Sequence, residues 1–168
     1  IERINIRGNN VTNENVIRGE LMLDEGDPFT NLNLDKSIAN IKSRNIFKTV
    51  KSEVLEGSSA DLKIINIDIE EKPTGEISAG AGVGTNGGTL AFTVTENNWL
   101  GEGKKVALDF ELTAESLKGQ FTYTNPNYDL LGNSIQYSLT NTTNDKPDQG
   151  YENSTIGLGI GTGFEQYN

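Results

Sequence analysis

The stretch Val106-Ala107-Leu108-Asp109-Phe110-Glu111-Leu112 decides the fold, because apolar and polar residues alternate along it. Its even positions are large and apolar, and its odd positions carry Ala, Asp and Glu. A β-strand sends successive side chains to opposite faces, so the stretch predicts a strand with one apolar and one polar face. From Gly75 to the C-terminus the pattern occurs six times, with turn residues between the runs. This half of the chain is therefore predicted to be all β.

The six strands form a predicted meander with two kinds of connection. Compact turns that contain an aromatic residue followed by glycine, at residues 98–101 and 127–132, share one end, and polar connections share the other. The polar connections are residues 85–88, 114–116 and the long stretch 142–153. We place the strands at residues 75–84, 89–97, 104–113, 117–125, 133–141 and 154–164. An antiparallel up-and-down meander of this kind is typical of a transmembrane β-barrel.

A soluble β-sandwich shows the same alternation and remains an alternative. Two observations favour the barrel. The polar face is rich in small residues and acids, as a polar lumen would be, and Trp99 and Tyr128 lie in the turns at one end. Aromatic residues are enriched at membrane interfaces, so these two are predicted membrane-interface aromatics.

The composition excludes several classes of function. The net charge of the 168-residue chain is -10, and Lys104-Lys105 is its single basic doublet, which argues against nucleic-acid binding. No apolar run approaches the roughly 18 residues of a transmembrane helix, so any membrane span would have to be a β-barrel. The chain has no cysteine and no histidine, which excludes disulfides and the commonest general base. It opens at Ile1 without Met or a signal segment and reads as a piece of a longer protein.

Residues 1–74 predict a small α+β domain with the order strand, helix, helix, strand, strand. The first helix buries Val16, Ile17 and Leu21, and residues 26–28 are expected to end it. The second helix is expected to be capped near Asn33 and to close at Asn45 in the left-handed conformation. Residues 49–55 and 62–70 predict a hairpin whose second strand is apolar on both faces and therefore central in the sheet. The composition changes at residues 72–75, which places the domain boundary after residue 74.

The glycine-rich and acidic stretches do not predict chemistry. By spacing, Gly82, Gly84 and Gly87 satisfy G-x-G-x-x-G, but this run leads into a strand and opens no helix, so a phosphate cradle is not expected. Residues 145–148 lack the ordered spacing of a calcium loop, and the pair Asp109 and Glu111 is more typical of lumen lining than of acid–base catalysis. We predict no catalytic residue, no metal site and no cofactor, and hence no enzyme.

Several motifs, in this order and spacing, resemble the BamA family of outer-membrane protein insertases of Gram-negative bacteria. The first half is similar to the last periplasmic POTRA domain of that family, and the second half to the first strands of its barrel. The motifs are Ile4-Asn5-Ile6-Arg7-Gly8-Asn9, Glu25-Gly26-Asp27-Pro28-Phe29, Arg44-Asn45-Ile46-Phe47, Gly82-Val83-Gly84-Thr85, Asn98-Trp99-Leu100-Gly101-Glu102-Gly103 and Thr124-Asn125-Pro126-Asn127-Tyr128. Asn45 replaces the usual glycine. The family barrel has sixteen strands, so this resemblance implies that residues 75–168 are a truncated barrel with an open or aberrantly paired edge.

The resemblance implies an assembly factor that folds and inserts client barrel proteins by strand templating. Its partners would be unfolded outer-membrane protein clients, accessory lipoproteins of the assembly complex and outer-membrane lipid, with no nucleic acid. The barrel part would lie in the cell outer membrane and the POTRA part in the periplasm. A POTRA–barrel transporter that secretes a partner protein, and a soluble two-domain β-rich binding module, are the alternatives.

The resemblance also implies sites. The client-pairing barrel gate would be Ile77, Ser78, Ala79, Gly80, Ala81, Gly82, Val83 and Gly84, although these glycines could instead only relieve crowding in the barrel wall. The POTRA edge strand that could dock an extended segment is Lys48, Thr49, Val50, Lys51, Ser52 and Glu53, and runs on to Leu55. Arg18 and Glu25 match the positions of an accessory lipoprotein contact, or else are exposed charges at a helix end.

Overall fold

The computed structural model of the chain describes residues 1–84, 87–129 and 132–164. The chain divides into two compact units. The first comprises Ile1–Pro73 together with Leu100–Gly103, and the second comprises Thr74–Trp99 with Lys104–Asn168. In the described part of the chain the longest helix has 13 residues, and no helix is long and apolar enough to cross a membrane.

The first unit has the predicted order of strands and helices. Its elements are β1 (Arg3–Arg7), α1 (Glu14–Arg18), α2 (Asn31–Ser43), β2 (Phe47–Glu56) and β3 (Lys63–Glu71). The sheet order is β1-β3-β2, with β3 parallel to β1 and antiparallel to β2. The prediction that the second strand of the hairpin is central is confirmed.

The core of the first unit lies between one face of this sheet and the two helices. Ile65 and Ile67 of β3 are fully buried and pack with the helix residues Ile17 and Ile41. Burying one such side chain contributes about 1.5–3 kcal/mol to the hydrophobic driving force for folding. The opposite face of the sheet carries the polar residues of each strand, as the alternation requires.

Two predicted helix boundaries are wrong. Helix α1 ends at Arg18, before Gly19, and not at residues 26–28, because the chain continues through tight turns in which Glu20 N–H donates to Ile17 C=O. Helix α2 begins at Asn31 with Thr30 as its N-cap, because the extended Thr30 lets its hydroxyl accept from Asn33 N–H at 3.3 Å. The left-handed conformation predicted for Asn45 is confirmed, with φ of 54°.

The second unit is one antiparallel sheet whose strands follow each other in chain order. They are β4 (Gly75–Gly84), β5 (Gly87–Trp99), β6 (Lys104–Thr113), β7 (Ser116–Asn125), β8 (Ser134–Lys146) and β9 (Tyr151–Gly163). Among the described residues β4 and β9 each pair with a single neighbour, so the sheet is open. The predicted meander with an open edge is therefore confirmed, and the two sheets of the β-sandwich alternative are not formed.

The register aligns apolar residues into rows across the whole sheet. One row contains, from β4 to β9, Ile77, Val94, Leu108, Phe121, Leu139 and Leu158. The row beside it is polar and contains Ser78, Thr93, Asp109, Gln120, Thr140 and Gly157. In the polar row the Thr93 hydroxyl donates to Asp109 Oδ1 at 2.8 Å. The sheet thus has one apolar and one polar face.

The long polar connection predicted at residues 142–153 is wrong. β8 continues to Lys146, β9 starts at Tyr151, and a 3-10 turn at Pro147–Gln149 joins them. The hairpin extends because backbone pairing does not require apolar side chains, and polar cross-strand bonds such as Asn144 Nδ2 to Asn153 Oδ1 at 3.0 Å add to it. Of the predicted connection 85–88, Thr85 and Asn86 lie outside the described residues, and Gly87 and Gly88 belong to β5.

Candidate functional site

Strand β4, which contains the predicted gate residues 77–84, forms one open edge of the second sheet. Within the ranges that the structure describes it pairs only with β5, and each of its residues is exposed. No atom lies within 4 Å of the position that a Cβ would take at Gly80, Gly82 or Gly84. The glycines of β9 differ, since a Cβ at Gly163 would come within 2.5 Å of the Ser134 hydroxyl. Among the described residues, a Cβ would thus meet a neighbouring side chain at Gly163 of β9 and none at these three glycines of β4.

The apolar face of the second sheet has no protein layer over it in the described part of the chain. The exposed fractions of Leu108, Phe121 and Leu139 are 39%, 40% and 45%, although these residues lie in the middle strands. All the buried hydrophobic residues of the described part belong to the first unit. A contiguous apolar surface of this extent marks a contact with a membrane or with protein.

The POTRA edge strand β2 pairs, among the residues placed in the structure, with β3 alone. Lys48 Nζ donates to Glu70 Oε1 at 2.6 Å, and this hydrogen bond is the largest of the influences that lower the pKa of Glu70. Of the predicted edge residues, Val50 is buried in the core, whereas Lys51 and Glu53 are exposed on the opposite face. The outer edge of β2 therefore presents its backbone between charged side chains.

Arg18 and Glu25, the predicted lipoprotein contact, meet at β1. Glu25 Oε1 accepts from the Ile4 N–H at 2.9 Å, and Arg18 Nη2 donates to the Ile4 C=O at 3.1 Å. Arg18 Nε also donates to Glu14 Oε1 at 2.7 Å. The two residues line a cavity of about 450 Å³ beside β1. Both residues are therefore bonded to the edge strand, and Glu25 is at the same time exposed to solvent.

The predicted interface aromatics are both about half exposed, with values of 44% for Trp99 and 47% for Tyr128. Trp99 is the last residue of β5 and is in register with Lys104. Tyr128 N–H donates to Asn133 C=O at 2.9 Å, which closes its turn. Leu130 and Leu131 of the same predicted turn lie outside the described residues.

Sequence reasoning missed the contacts that the turn Leu100–Gly103 makes within the first unit. Asn13 N–H donates to Gly101 C=O at 2.8 Å, and Arg44 Nη2 donates to Gly103 C=O at 2.6 Å. Arg44 Nη1 lies 3.5 Å from Glu20 Oε1, and both side chains are 12% exposed. Burial lowers the pKa of Arg44, and the charge of Glu20 acts against that shift.

The glycines of this turn are explained by close backbone approach. Gly101 and Gly103 have φ of 73° and 63°, a conformation that favours glycine. A Cβ at Gly101 would overlap the Val11 carbonyl oxygen, and a Cβ at Gly103 would overlap Val16. The spacing of two glycines after an aromatic residue was the signal in the sequence, but its meaning depends on residues about 90 positions earlier.

A second contact that sequence reasoning missed fixes the loop after β1. Glu71 Oε2 accepts from the N–H groups of Asn10 and Val11, both at 2.9 Å, and its Oε1 accepts from Thr12 N–H at 2.7 Å. Burial alone would raise the pKa of Glu71, but these bonds and one from the Thr12 side chain outweigh it and lower the pKa. The ionised carboxylate therefore holds the loop more strongly than the protonated acid would.

Comparisons with known proteins agree with this geometry. Residues 1–72 match the POTRA family model, described as "Surface antigen variable number repeat". The outer membrane protein assembly factor BamA of Neisseria meningitidis is 27% identical over 167 residues, which cover 95% of this chain and 21% of that protein. The chain thus spans about a fifth of this relative.

Two solved structures share the fold. The crystal structure of BamA from Haemophilus ducreyi lacking POTRA domains 1–3 superposes with a TM-score of 0.84 at 23% identity, covering 94% of this chain and 31% of that one. CdiB from Escherichia coli superposes with a TM-score of 0.61 at 13% identity, covering 94% of this chain and 31% of that one.

The fold defines a class of protein, in which a POTRA domain precedes a membrane-type antiparallel sheet. The motifs indicated a resemblance to the BamA family within that class. This resemblance is confirmed by 27% sequence identity to a BamA protein over 95% of the chain and by the structural match. The sheet is accordingly the outer-membrane part of the molecule, and the POTRA domain is its periplasmic part.

Proposed function

We propose that this chain is the POTRA–barrel junction of an assembly factor that folds client barrel proteins and inserts them into the outer membrane. Residues 1–74 would be its last POTRA domain, and residues 75–168 the first six strands of a larger barrel. The observation that supports the proposal is the exposed apolar face of the second sheet, together with the small side chains and glycines of its strand β4. The chain itself would act by binding and templating, without enzymatic chemistry.

The physical basis is the cost of unpaired backbone groups in hydrocarbon. An unfolded client must satisfy its N–H and C=O groups before it enters the membrane, at several kcal/mol for each group left unpaired. A free strand edge in the membrane supplies those partners, one residue at a time, and a strand added there has the geometry of β-augmentation. The edge at residues 77–84 is suited to this, because its small side chains and glycines keep the approach to the backbone open.

Two further contacts are proposed in the POTRA domain. The edge strand β2, at Lys48–Glu53, would dock an extended client segment while the client is still in the periplasm. The cavity beside β1, with Arg18 and Glu25, would meet an accessory lipoprotein through charge complementarity. Outer-membrane lipid would cover the apolar row that contains Leu108, Phe121 and Leu139.

A POTRA–barrel transporter that secretes one partner protein is the second candidate, because the same fold fits it. Sequence likeness to assembly factors, at 27% identity over 95% of the chain, favours the insertase. The soluble binding module is not favoured, since the second unit forms one open sheet with an exposed apolar face.

Disulfide trapping tests the proposal, since the chain contains no cysteine of its own. We would place a single cysteine at Ser78 of β4 in the intact protein in liposomes, and offer an unfolded outer-membrane barrel client with one cysteine in its last strand. The matched control is Ser138→Cys, at a serine on the polar face of the interior strand β8. We expect the client to cross-link at position 78 and not at 138. Equal yields at the two positions would reject β4 as the template.

A further inference from the structure

The two edges of the POTRA sheet differ in whether their backbone groups are already occupied. At β1, side chains take both peptide groups of Ile4: the Glu25 carboxylate accepts its N–H at 2.9 Å, and the Arg18 guanidinium donates to its C=O at 3.1 Å. Just beyond β1, the Glu71 carboxylate accepts hydrogen bonds from the N–H groups of Asn10, Val11 and Thr12. An incoming strand would find these groups already bonded.

The edge of β2 has no such cover. Its side chains bond instead to side chains of β3. Lys48 and Thr49 donate to Glu70, and Glu56 accepts from Lys63. In the part of the chain that the structure describes, no side chain bonds to a backbone group of β2. β2 also has 10 residues against 5 in β1, so it can offer more backbone bonds to an added strand.

We propose that Glu25 and Arg18 form a side-chain clamp that closes the β1 edge to a further strand, so that an extended polypeptide adds to the POTRA sheet only along β2. Unpaired strand edges are templates for pairing with other chains, and proteins that handle unfolded polypeptides meet such chains constantly. The clamp consists of side chains, so rotamer changes can open it without unfolding the domain. Its second half, addition along β2, rests on the proposed function of that edge.

The clamp itself is tested by amide hydrogen exchange at Ile4 in the intact protein. We expect Glu25→Ala to accelerate exchange of the Ile4 amide about tenfold, the equivalent of one lost hydrogen bond. Glu25→Gln keeps an acceptor oxygen and should retain most of the protection. Glu14→Ala is the matched control, because Glu14 lines the same cavity and, within the described ranges, its side chain bonds to Arg18 and not to Ile4.

The Ile65 amide of β3 serves as the internal reference, since this residue is fully buried in the core and its exchange should not change. If Ile4 exchanges at the same rate in Glu25→Ala and in the unsubstituted protein, with Ile65 protected in both, there is no clamp and the proposal is overturned.

The choice of edge is tested by cross-linking. Arg7 of β1 and Lys51 of β2 flank the same residue of β3, Asp68, so cysteines at these two positions report equivalently on the two edges. The probe is a synthetic peptide with the sequence of residues 104–113 and one added terminal cysteine. We expect disulfides with Lys51→Cys and not with Arg7→Cys. In the Glu25→Ala, Arg18→Ala double variant, the yield at Arg7→Cys should rise above that of the unsubstituted clamp, and stay below that at Lys51→Cys because β1 is the shorter strand.

The matched double variant is Glu14→Ala, Arg3→Ala, which removes the same two charges from the same cavity but leaves both bonds to Ile4. With this control variant we expect no peptide cross-link at Arg7→Cys. Cross-linking at Arg7→Cys with the clamp residues in place would overturn the proposal. Absence of cross-links at Lys51→Cys in every variant would reject strand addition at β2, while the exchange of Ile4 would still decide whether the clamp exists.

Discussion

At the scale of single residues, the glycines of this chain act in two different ways. Those at positions 101 and 103 are required because neighbouring atoms occupy the space of a side chain. Those at positions 80, 82 and 84 of β4 have open space beside them and leave the strand edge unobstructed. A glycine in the sequence does not reveal which of the two reasons applies, because both depend on what packs against it.

Gly101→Ala should destabilise the first unit more than Gly26→Ala. Both glycines belong to this unit and have positive φ, 73° and 100°, so both substitutions incur a left-handed penalty of about 1–2 kcal/mol. Only Gly101 has a carbonyl oxygen, that of Val11, where the methyl group would lie. Urea unfolding of the two variants, followed by the signal of the POTRA domain, measures the difference. Equal stabilities would show that the turn does not need this close contact.

Glu71→Gln should lower the free energy of unfolding of the POTRA domain by about 1–3 kcal/mol at neutral pH, because a neutral amide replaces a charged acceptor of three N–H groups. Glu70→Gln is the control, since Glu70 is an exposed partner of Lys48, and its effect should be much smaller. Denaturant titrations at pH 7 test the order of the two variants. A larger loss for Glu70→Gln would contradict it.

The same carboxylate gives the domain a pH dependence. The pKa of Glu71 is lowered in the folded state, so its stabilisation is fully present above the unfolded value of about 4.3. The stabilisation is lost as the pH falls through the lower folded pKa. Unfolding measured from pH 6 down to pH 2 should therefore show a smaller acid-induced loss in Glu71→Gln than in the unsubstituted chain. Parallel curves would exclude Glu71 as a source of the dependence.

At the scale of elements, the alternation in each strand gives the sheet its two faces, and the register gives them their rows. Leu108→Lys, on the apolar row, should destabilise the inserted protein by about 2–4 kcal/mol if that row faces the bilayer core. Asp109→Lys, one residue along on the polar row, should have a much smaller effect. Urea titration of the intact protein in lipid bilayers compares the two. Equal effects would mean that lipid does not cover this face.

At the scale of the whole molecule, the two units differ in what stabilises them. In the described part of the chain, the buried hydrophobic residues all lie in the first unit, so we expect this unit to fold in water. The second unit exposes its apolar row, and we expect it to require an apolar environment. We expect the Ile65 amide of β3 to be protected from exchange with or without detergent micelles, and the Phe121 amide of β7 only with them. Equal protection of Phe121 in water would show that protein already covers the row.

Much of this architecture could be predicted from the sequence, because it depends on local periodicity. The alternation in Val106–Leu112 gave a strand and its faces, and the doubly apolar run at Ile64–Ile69 gave the central strand of the POTRA domain. The ends of the strands were less predictable. β8 and β9 extend into residues that are polar on both faces, because backbone pairing continues where the alternation with apolar residues has ended.

The sequence by itself determined the order of the elements, the two faces of the meander and the resemblance to a family, since all three are encoded in spacings of a few residues. Only the tertiary structure decided that Glu25 and Arg18 bond to Ile4, that Glu71 holds the loop after β1, and that Gly101 lies against Val11. These contacts join residues that are 14 to about 90 positions apart. Their partners are set by how the chain packs, which no local pattern specifies.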